Sequence, residues 1–366
     1  MSLIYGWVGC LFYLHVLMFD KIWSLVTYDI GIDLGTANSW VYVKGKGVIL
    51  NEPSVVAINS KTKEVLAVGR DAKKMLGRTP SSVKAIRPLC DGVISDFDVT
   101  QAMIKYFINK VHDMSSRFIK IARPRVVVGV PSSVTEVERQ AVVDAAKYAG
   151  AREVYIVEQP MAAALGCKLP VQEPRGSMII DIGGGTSDIA VISLGDIVVD
   201  KTIRVAGDEM DENVSEYIRQ KYNLLIGLRS AEEVKIKIGS AYPMKEELEI
   251  TVQGRDLMSG LPKSVDINSV EIREAIMNSI NIIAESVKEA IEETPPELVS
   301  DLYTDGIYLT GGGALIRGLD KYFRDYLHIP VHIPKDPMTS VVEGTAVMLE
   351  DIHLLRKTQS AWDDVI

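Results

Sequence analysis

No stretch of this 366-residue chain reads Gly-x-x-x-x-Gly-Lys-Ser/Thr, so any phosphate it binds is held by something other than a P-loop. Cysteine is scarce. Cys10, Cys90 and Cys167 are odd in number and far apart, which excludes a paired-cysteine metal or redox motif and suits a reducing cytoplasm. There is no Lys/Arg-rich block, and a net charge of −9 argues against nucleic acid as a main partner. Long apolar runs are missing too. Residues 1–17 are apolar but fall short of the roughly 20 residues that a membrane span needs. They also lack the basic start and small-residue cleavage site of a secretion signal. One reading of them is an upstream start codon, with Met18 as the initiator. What remains is globular, 47% hydrophobic and 24% charged, and long enough for two domains with separate cores.

The most informative segment is Met178–Asp188. An apolar run ends in Asp181, three glycines (Gly183, Gly184, Gly185) and Thr186 follow, and Ile189–Leu194 is apolar again. This predicts a strand, a tight turn of almost bare backbone, and a second strand. Consecutive glycines let N–H groups point into one concavity that suits phosphate oxygens. Asp181, at the mouth of a buried strand, is placed to reach a hydrated Mg²⁺ riding on those phosphates. An ordinary glycine-rich hairpin with a turn-capping Asp reads the same way in isolation. A second copy, Ile30–Asn38, repeats the grammar with Asp33, Gly35 and Thr36 before an apolar strand at Trp40–Val43. Two such hairpins predict a duplicated domain, each half presenting a phosphate-facing turn to a shared cleft.

Between Met18 and Tyr28, Phe19, Ile22, Trp23 and Val26 fall at i, i+3, i+4 and i+7, with polar residues opposite. Two readings stand: an interfacial membrane anchor, or a helix packed on the protein's own core. The segment His112–Arg123 mixes Phe118 and Ile119 with Arg117 and Lys120, and either dips into anionic lipid or covers the core. Gln101–Val111 has helical spacing, and Thr135 with Glu138 forms a capping box that opens a helix running to Gly150. Ala162–Ala164 lie in a small-residue helix suited to crossing between two halves. Gly207 lets backbone approach a phosphate or a ribose, or simply caps a helix with Asp208. Glu232 and Lys235, one helical turn apart, either bracket a nucleoside or form a solvated ion pair. Gly306–Thr310 reads as a core strand running into Gly311, Gly312, Gly313 and Ala314 and a helix beyond, a good place for phosphates or an adenosine edge. Ser340–Leu355 reads as one more helix.

From Tyr28 to about Lys357 the chain resembles the MreB family of bacterial actin homologues, within the actin-like ATPases. The resemblance lies in Asp29–Asn38, Asn51–Ile58, Arg87–Asp96, Ile180–Asp188, Ala206–Asp211, Thr294–Asp301 and Leu309–Asp320. It implies an α/β actin-like fold of two duplicated domains, four subdomains in all, around a nucleotide cleft. The expected division is an extension at 1–28, a first domain at 29–164 with an insertion near 59–97, a second at 165–338 with a subdomain near 204–276, and a returning tail at 339–366.

On the family pattern, Thr36, Ala37 and Asn38 hold the phosphates of ATP from one side and Gly183–Thr186 from the other. Glu232 and Lys235 flank the nucleoside, Gly207 approaches it, and Gly311–Ala314 line the adenosine. Asp33 and Asp181 orient Mg²⁺ through its waters, so Asp181 also counts as catalytic. The family usually has Glu-Glu-Pro before the interdomain helix. Here it is Glu158-Gln159-Pro160, which makes Gln159 the residue expected to orient the attacking water, with Glu158 beside it also expected to be catalytic, and predicts slow hydrolysis. The resemblance further implies homopolymeric filaments of paired protofilaments on the inner face of the cell membrane, and partners in wall elongation such as MreC, MreD and RodZ. A small-molecule kinase of the same superfamily and a non-hydrolysing membrane scaffold are the rival readings. A DnaK-type chaperone is disfavoured, because no peptide-binding segment follows the second lobe.

Overall fold

The computed structural model describes residues 28–90, 92–114 and 123–351. The anchor residues Phe19, Ile22, Trp23 and Val26, the loop residues Arg117–Ile121 and the tail beyond Asp351 lie outside the described residues.

Two five-stranded sheets share one wiring. The first comprises β1 (Ile30–Leu34), β2 (Asn38–Val43) and β3 (Gly47–Pro53), with β9 (Arg125–Val130) and β10 (Glu153–Glu158), in the order β10-β9-β1-β2-β3. The second comprises β11 (Ser177–Ile182), β12 (Ser187–Ser193) and β13 (Asp196–Ile203), with β17 (Ile307–Thr310) and β18 (Val331–His332), in the order β13-β12-β11-β17-β18. In each, an antiparallel meander of three strands is extended by two parallel strands. β1 and β11 are therefore equivalent, both central and wholly buried, as continuous apolar runs require.

Each sheet carries an insertion. After β3 come β4 (Val56–Asn59), β5 (Val65–Val68), helix α1 (Arg70–Met75), β6 (Val83–Ile86) and the short pair β7 (Leu89–Cys90) and β8 (Val93–Ile94). One face of β4 closes on a small core of Val55, Ala57 and Ala72, and the other sends Val56 and Ile58 into the main core. The second half inserts α5 (Gly207–Tyr222), α6 (Leu228–Ile238) and the three-stranded sheet β14 (Leu224–Leu225), β15 (Glu249–Asp256) and β16 (Pro262–Asn268). Here one apolar core runs without a break from Met178 through Val252 and Ile267 to Phe323.

Side-chain caps fix the starts of three helices. The Thr135–Glu138 box is present: Glu138 N donates to Thr135 Oγ1 at 3.3 Å and Thr135 N to Glu138 Oε2 at 2.9 Å, opening α3 (Glu136–Tyr148). Asn268 and Glu271 form a second box at the start of α7 (Ser269–Glu293). Helix α2 (Phe97–Asp113) begins four residues before the expected Gln101, because the Asp96 side chain accepts from Val99 N at 3.1 Å and fixes the start there.

Two helices join the halves. α4 (Gln159–Gly166) leads out of β10, and α10 (Ser340–Glu350) returns to pack on β1, β2 and β9. They cross backbone to backbone: a Cβ on Gly166 would collide with the Ser340 carbonyl, and one on Gly344 with that of Ala162.

Candidate functional site

The ends of β1 and β11 face a common cleft of about 340 Å³. Asp33 and Asp181 sit at the same place in the two strands, and each leads into its hairpin turn. In the first, Ser54 Oγ donates to Gly35 O at 2.5 Å and Ser54 N to Ala37 O at 3.0 Å, so the Asn-Glu-Pro-Ser segment braces the turn. In the second, the Gly183 N–H is spent: it donates to Thr186 O at 2.9 Å and closes the turn. That corrects the expectation that all three glycines offer N–H groups to the cleft. None of Gly183–Gly185 has a positive φ, so left-handed backbone is not why glycine stands there. Close approach is the reason at Gly184, where a Cβ would lie 2.6 Å from that of Ala37. The two turns thus meet face to face.

Three carboxylates, Asp33, Asp181 and Asp188, are buried around this meeting point. Burial pushes Asp33 up to about 7, against the opposing effect of a hydrogen bond from Gln159. Burial, with the neighbouring Asp33 and Asp188 charges, pushes Asp181 up to about 8. Burial likewise raises Asp188 to about 6, although Thr202 and Thr186 donate to it at 2.6 and 3.0 Å. Among the described residues no Lys or Arg pairs with any of the three. Concentrated, uncompensated buried acid fits a divalent cation. Among the described residues, however, no three His, Cys, Asp or Glu side chains converge tightly enough to form an all-protein cage. The arrangement suits a cation that takes its other ligands from phosphate and water.

Gln159 is buried at the start of α4, and its Nε2 donates to Asp33 Oδ1 at 2.9 Å. Glu158 does not line the cleft, which corrects the expectation that it is catalytic. Its carboxylate faces Arg139, 3.7 Å from Nη2, and burial with the Asp200 charge raises it to about 7.

Glu232 and Lys235 both line the cleft but do not pair with one another, which corrects the solvated-pair reading. Lys235 Nζ lies 2.8 Å from Asp211 Oδ1 and donates to Gly207 O at 2.5 Å, while Glu232 binds Lys73 at 3.0 Å. Gly207 N donates to Gly183 O at 3.2 Å and Asp208 N to Gly184 O at 2.7 Å, so the start of α5 is tied directly to the second hairpin.

Gly311, Gly312 and Gly313 also line the cleft. They do not open an α-helix as expected. Gly311, at φ 78°, turns the chain into a 3-10 turn at Gly312–Leu315, and α-helix resumes only at Leu319. A side chain on Gly311 would meet Asp181 Oδ1 at 2.5 Å. Ala314 is buried behind the turn and Gly185 behind the hairpin, so neither lines the cleft, whereas Thr36, Asn38 and Thr186 do. Sequence reasoning missed Trp40, Asp188, Asp208, Asp211, Arg317 and Met338, which also line the cleft. Asp208 and Asp211 had a signal in their Gly-Asp-x-x-Asp spacing; Met338 had none.

The model of the MreB/Mbl protein family matches residues 27–357. The chain belongs to the MreB/Mbl family. It is 48% identical over 329 residues to the cell shape-determining protein Mbl of Bacillus subtilis, covering 90% of this chain and 98% of that one. It is 49% identical over 341 residues to the cell shape-determining protein MreB of Escherichia coli, covering 92% and 97%. Crystal structures of MreB5 of Spiroplasma citri bound to ADP and to AMPPNP each superpose with a TM-score of 0.84 at 43% identity, over 89% of this chain and 97% of that one. The MamK double helical filament superposes at 0.74 over 88% of this chain and 99% of that one; at 22% identity it speaks for the actin-like fold alone.

Proposed function

We propose that this MreB/Mbl-family chain binds ATP with Mg²⁺ in the cleft, assembles head to tail into filaments, and hydrolyses ATP as the filament ages. On this reading it lies on the inner face of the cell membrane and organises wall synthesis to set rod shape. The observation that carries the nucleotide reading is the face-to-face meeting of two Asp-Gly turns over a buried acidic cluster. Its relatives' names supply cell-shape determination, and the Spiroplasma relative's ADP and AMPPNP complexes support the choice of ligand. Paired protofilaments, membrane lipid, and MreC, MreD and RodZ as partners come from family resemblance. Among the described residues no helix is long and apolar enough to cross a membrane.

In this mechanism Thr36, Ala37 and Asn38 hold phosphates from one side, and Gly184 with Thr186 from the other, while Glu232 and Lys235 flank the nucleoside and Gly311–Gly313 the adenosine. Mg²⁺, when bound, supplies positive charge that offsets the charge on the transferred phosphoryl. Asp33 and Asp181 would hold its waters. Because Gln159 Nε2 is committed to Asp33, its Oε1 is the atom left to accept a hydrogen bond from the attacking water. A neutral amide orients water without taking its proton, so hydrolysis is slow.

Sedimentation of the full chain with Mg-ATP, Mg-ADP or no nucleotide, with phosphate release followed in the same tubes, tests the reading. ATP-dependent pelleting above a threshold concentration is expected. A soluble chain whose turnover needs an added sugar would mean a kinase instead.

A further inference from the structure

The lips of the cleft are joined by charge. On one side hangs the insertion of the first half, with its own small core of Val55, Ala57 and Ala72. On the other is the helical insertion of the second half. Lys73, on α1, lies 3.0 Å from both Oε1 and Oε2 of Glu232 on α6. Arg87, just after β6, reaches Asp208 Oδ2 at 2.5 Å, at the start of α5. In both pairs the cation comes from the first half and the acid from the second, and both acids line the cleft. Asp208 adds a mechanical link. Its own N–H is bonded to Gly184 O, and Gly184 abuts Ala37 of the opposite turn. Arg87 is therefore one residue removed from the turn that faces the phosphates, and Lys73 one residue removed from the nucleoside side.

We propose that Lys73 and Arg87 are positioning residues that latch the first half's insertion over bound nucleotide, through Glu232 and Asp208, and so set how fast nucleotide leaves. The proposal rests on the nucleotide reading given above. The latch is weak by construction. Its four side chains are between 28% and 38% exposed, so each pair is worth little and is screened by salt. Such a pair suits a closure that must open each cycle, where an apolar seal would trap the ligand.

The test is release of a fluorescent ATP analogue from the full chain with Mg²⁺, chased by excess ATP, at protein concentrations below those that pellet. Lys73→Ala and Arg87→Ala each speed release roughly two- to fivefold, and together about tenfold. Wild-type release accelerates between about 50 and about 500 mM salt, and the double variant loses that dependence. Lys74→Ala, which breaks only the exposed pair with Asp71 on the same helix, leaves release unchanged. Arg87→Asp speeds release further, and adding Asp208→Arg brings it back towards wild type, a rescue that lost packing would not give. Unchanged release in the Lys73 and Arg87 variants, or a swap no slower than Arg87→Asp alone, overturns the latch while leaving nucleotide binding intact. A wild-type chain that retains no nucleotide overturns the functional reading and the latch together.

Discussion

The two insertions face one another across the cleft through Lys73–Glu232 and Arg87–Asp208, and they are built differently. In the second half, α7 touches β12 and β13 of the main sheet and β16 of the small one, so a single core holds the whole lobe together. In the first half only Val56 and Ile58, on one face of β4, join the main core. The other face closes on three small side chains, Val55, Ala57 and Ala72, and buried Glu52, which binds Lys110 at 2.7 Å and the Arg70 N–H at 3.0 Å, adds a polar tie to the main sheet. One lobe is a solid piece, the other a body with a light appendage. Cleft opening should therefore move the appendage more readily than anything in the second half.

Truncation in the two cores sharpens that contrast most. Ile280→Ala, at a fully buried position of α7, is expected to cost about 2–5 kcal/mol and to loosen both second-half sheets at once. Val55→Ala should cost only about 1–2 kcal/mol. Its effect on hydrogen exchange should stay within the first insertion. Fast exchange spreading from Val55→Ala into β1 or β9 would break the comparison.

The seam between the halves gives the next effect. Glu158, on the first half, faces Arg139 and the Asp196 and Asp200 charges of the second, and its folded pKa rises from 4.5 to about 7. Through that window the folded chain binds more proton than the unfolded one, so stability contributed by this group falls as pH rises from 4.5 to about 7 and then levels off. Glu158→Gln should flatten the slope and gain roughly 1–3 kcal/mol at pH 8, read from denaturation midpoints across pH. A wild-type slope of the opposite sign in the difference between the two proteins would rule this out.

The two aspartates of the cleft also differ. Asp181 takes a hydroxyl from Thr310 at 3.2 Å, whereas Asp33 takes the Gln159 amide. Gln159→Glu replaces a donor with a second carboxylate, so without metal the variant should lose about 1 kcal/mol. With Mg-ATP it should hydrolyse faster in filaments, because a carboxylate can take the water's proton. A variant no faster than wild type would remove Gln159 from the chemistry.

Both hairpins were legible because short apolar runs, Ile30–Leu34 and Met178–Ile182, each end at an Asp and a Gly-rich turn before a second apolar run, a combination of length and flanks that favours a buried strand over a helix. The Thr135 cap was legible for the same local reason. The partners of Glu232 and Lys235 were not. Helical spacing brings the two within reach of each other, but Lys73 and Asp211 approach from distant parts of the chain and win. Gly311–Gly313 misled because glycines serve a helix start and a tight 3-10 turn equally well. Only the crowding of Asp181 and Ile182 behind them decides between the two. Met338 enters the cleft through long-range assembly alone, which leaves no trace in local spacing, whereas Trp40 was within reach of the sequence: it pairs with Asp33 across the first hairpin and shares a face of β2 with Asn38.

The crossing of α4 and α10 has a mechanical consequence. The chain passes between the halves twice, and the two passages touch at Gly166 and Gly344 with no side chain to separate them. Should the halves move against one another, that contact would be their axle, because close-packed backbones resist sliding more than rotation, and travel in a swivel grows with distance from the pivot. A bead as small as a methyl group at residue 344 would act as a shim, tilting the axle and shifting the far lips by more than its own width.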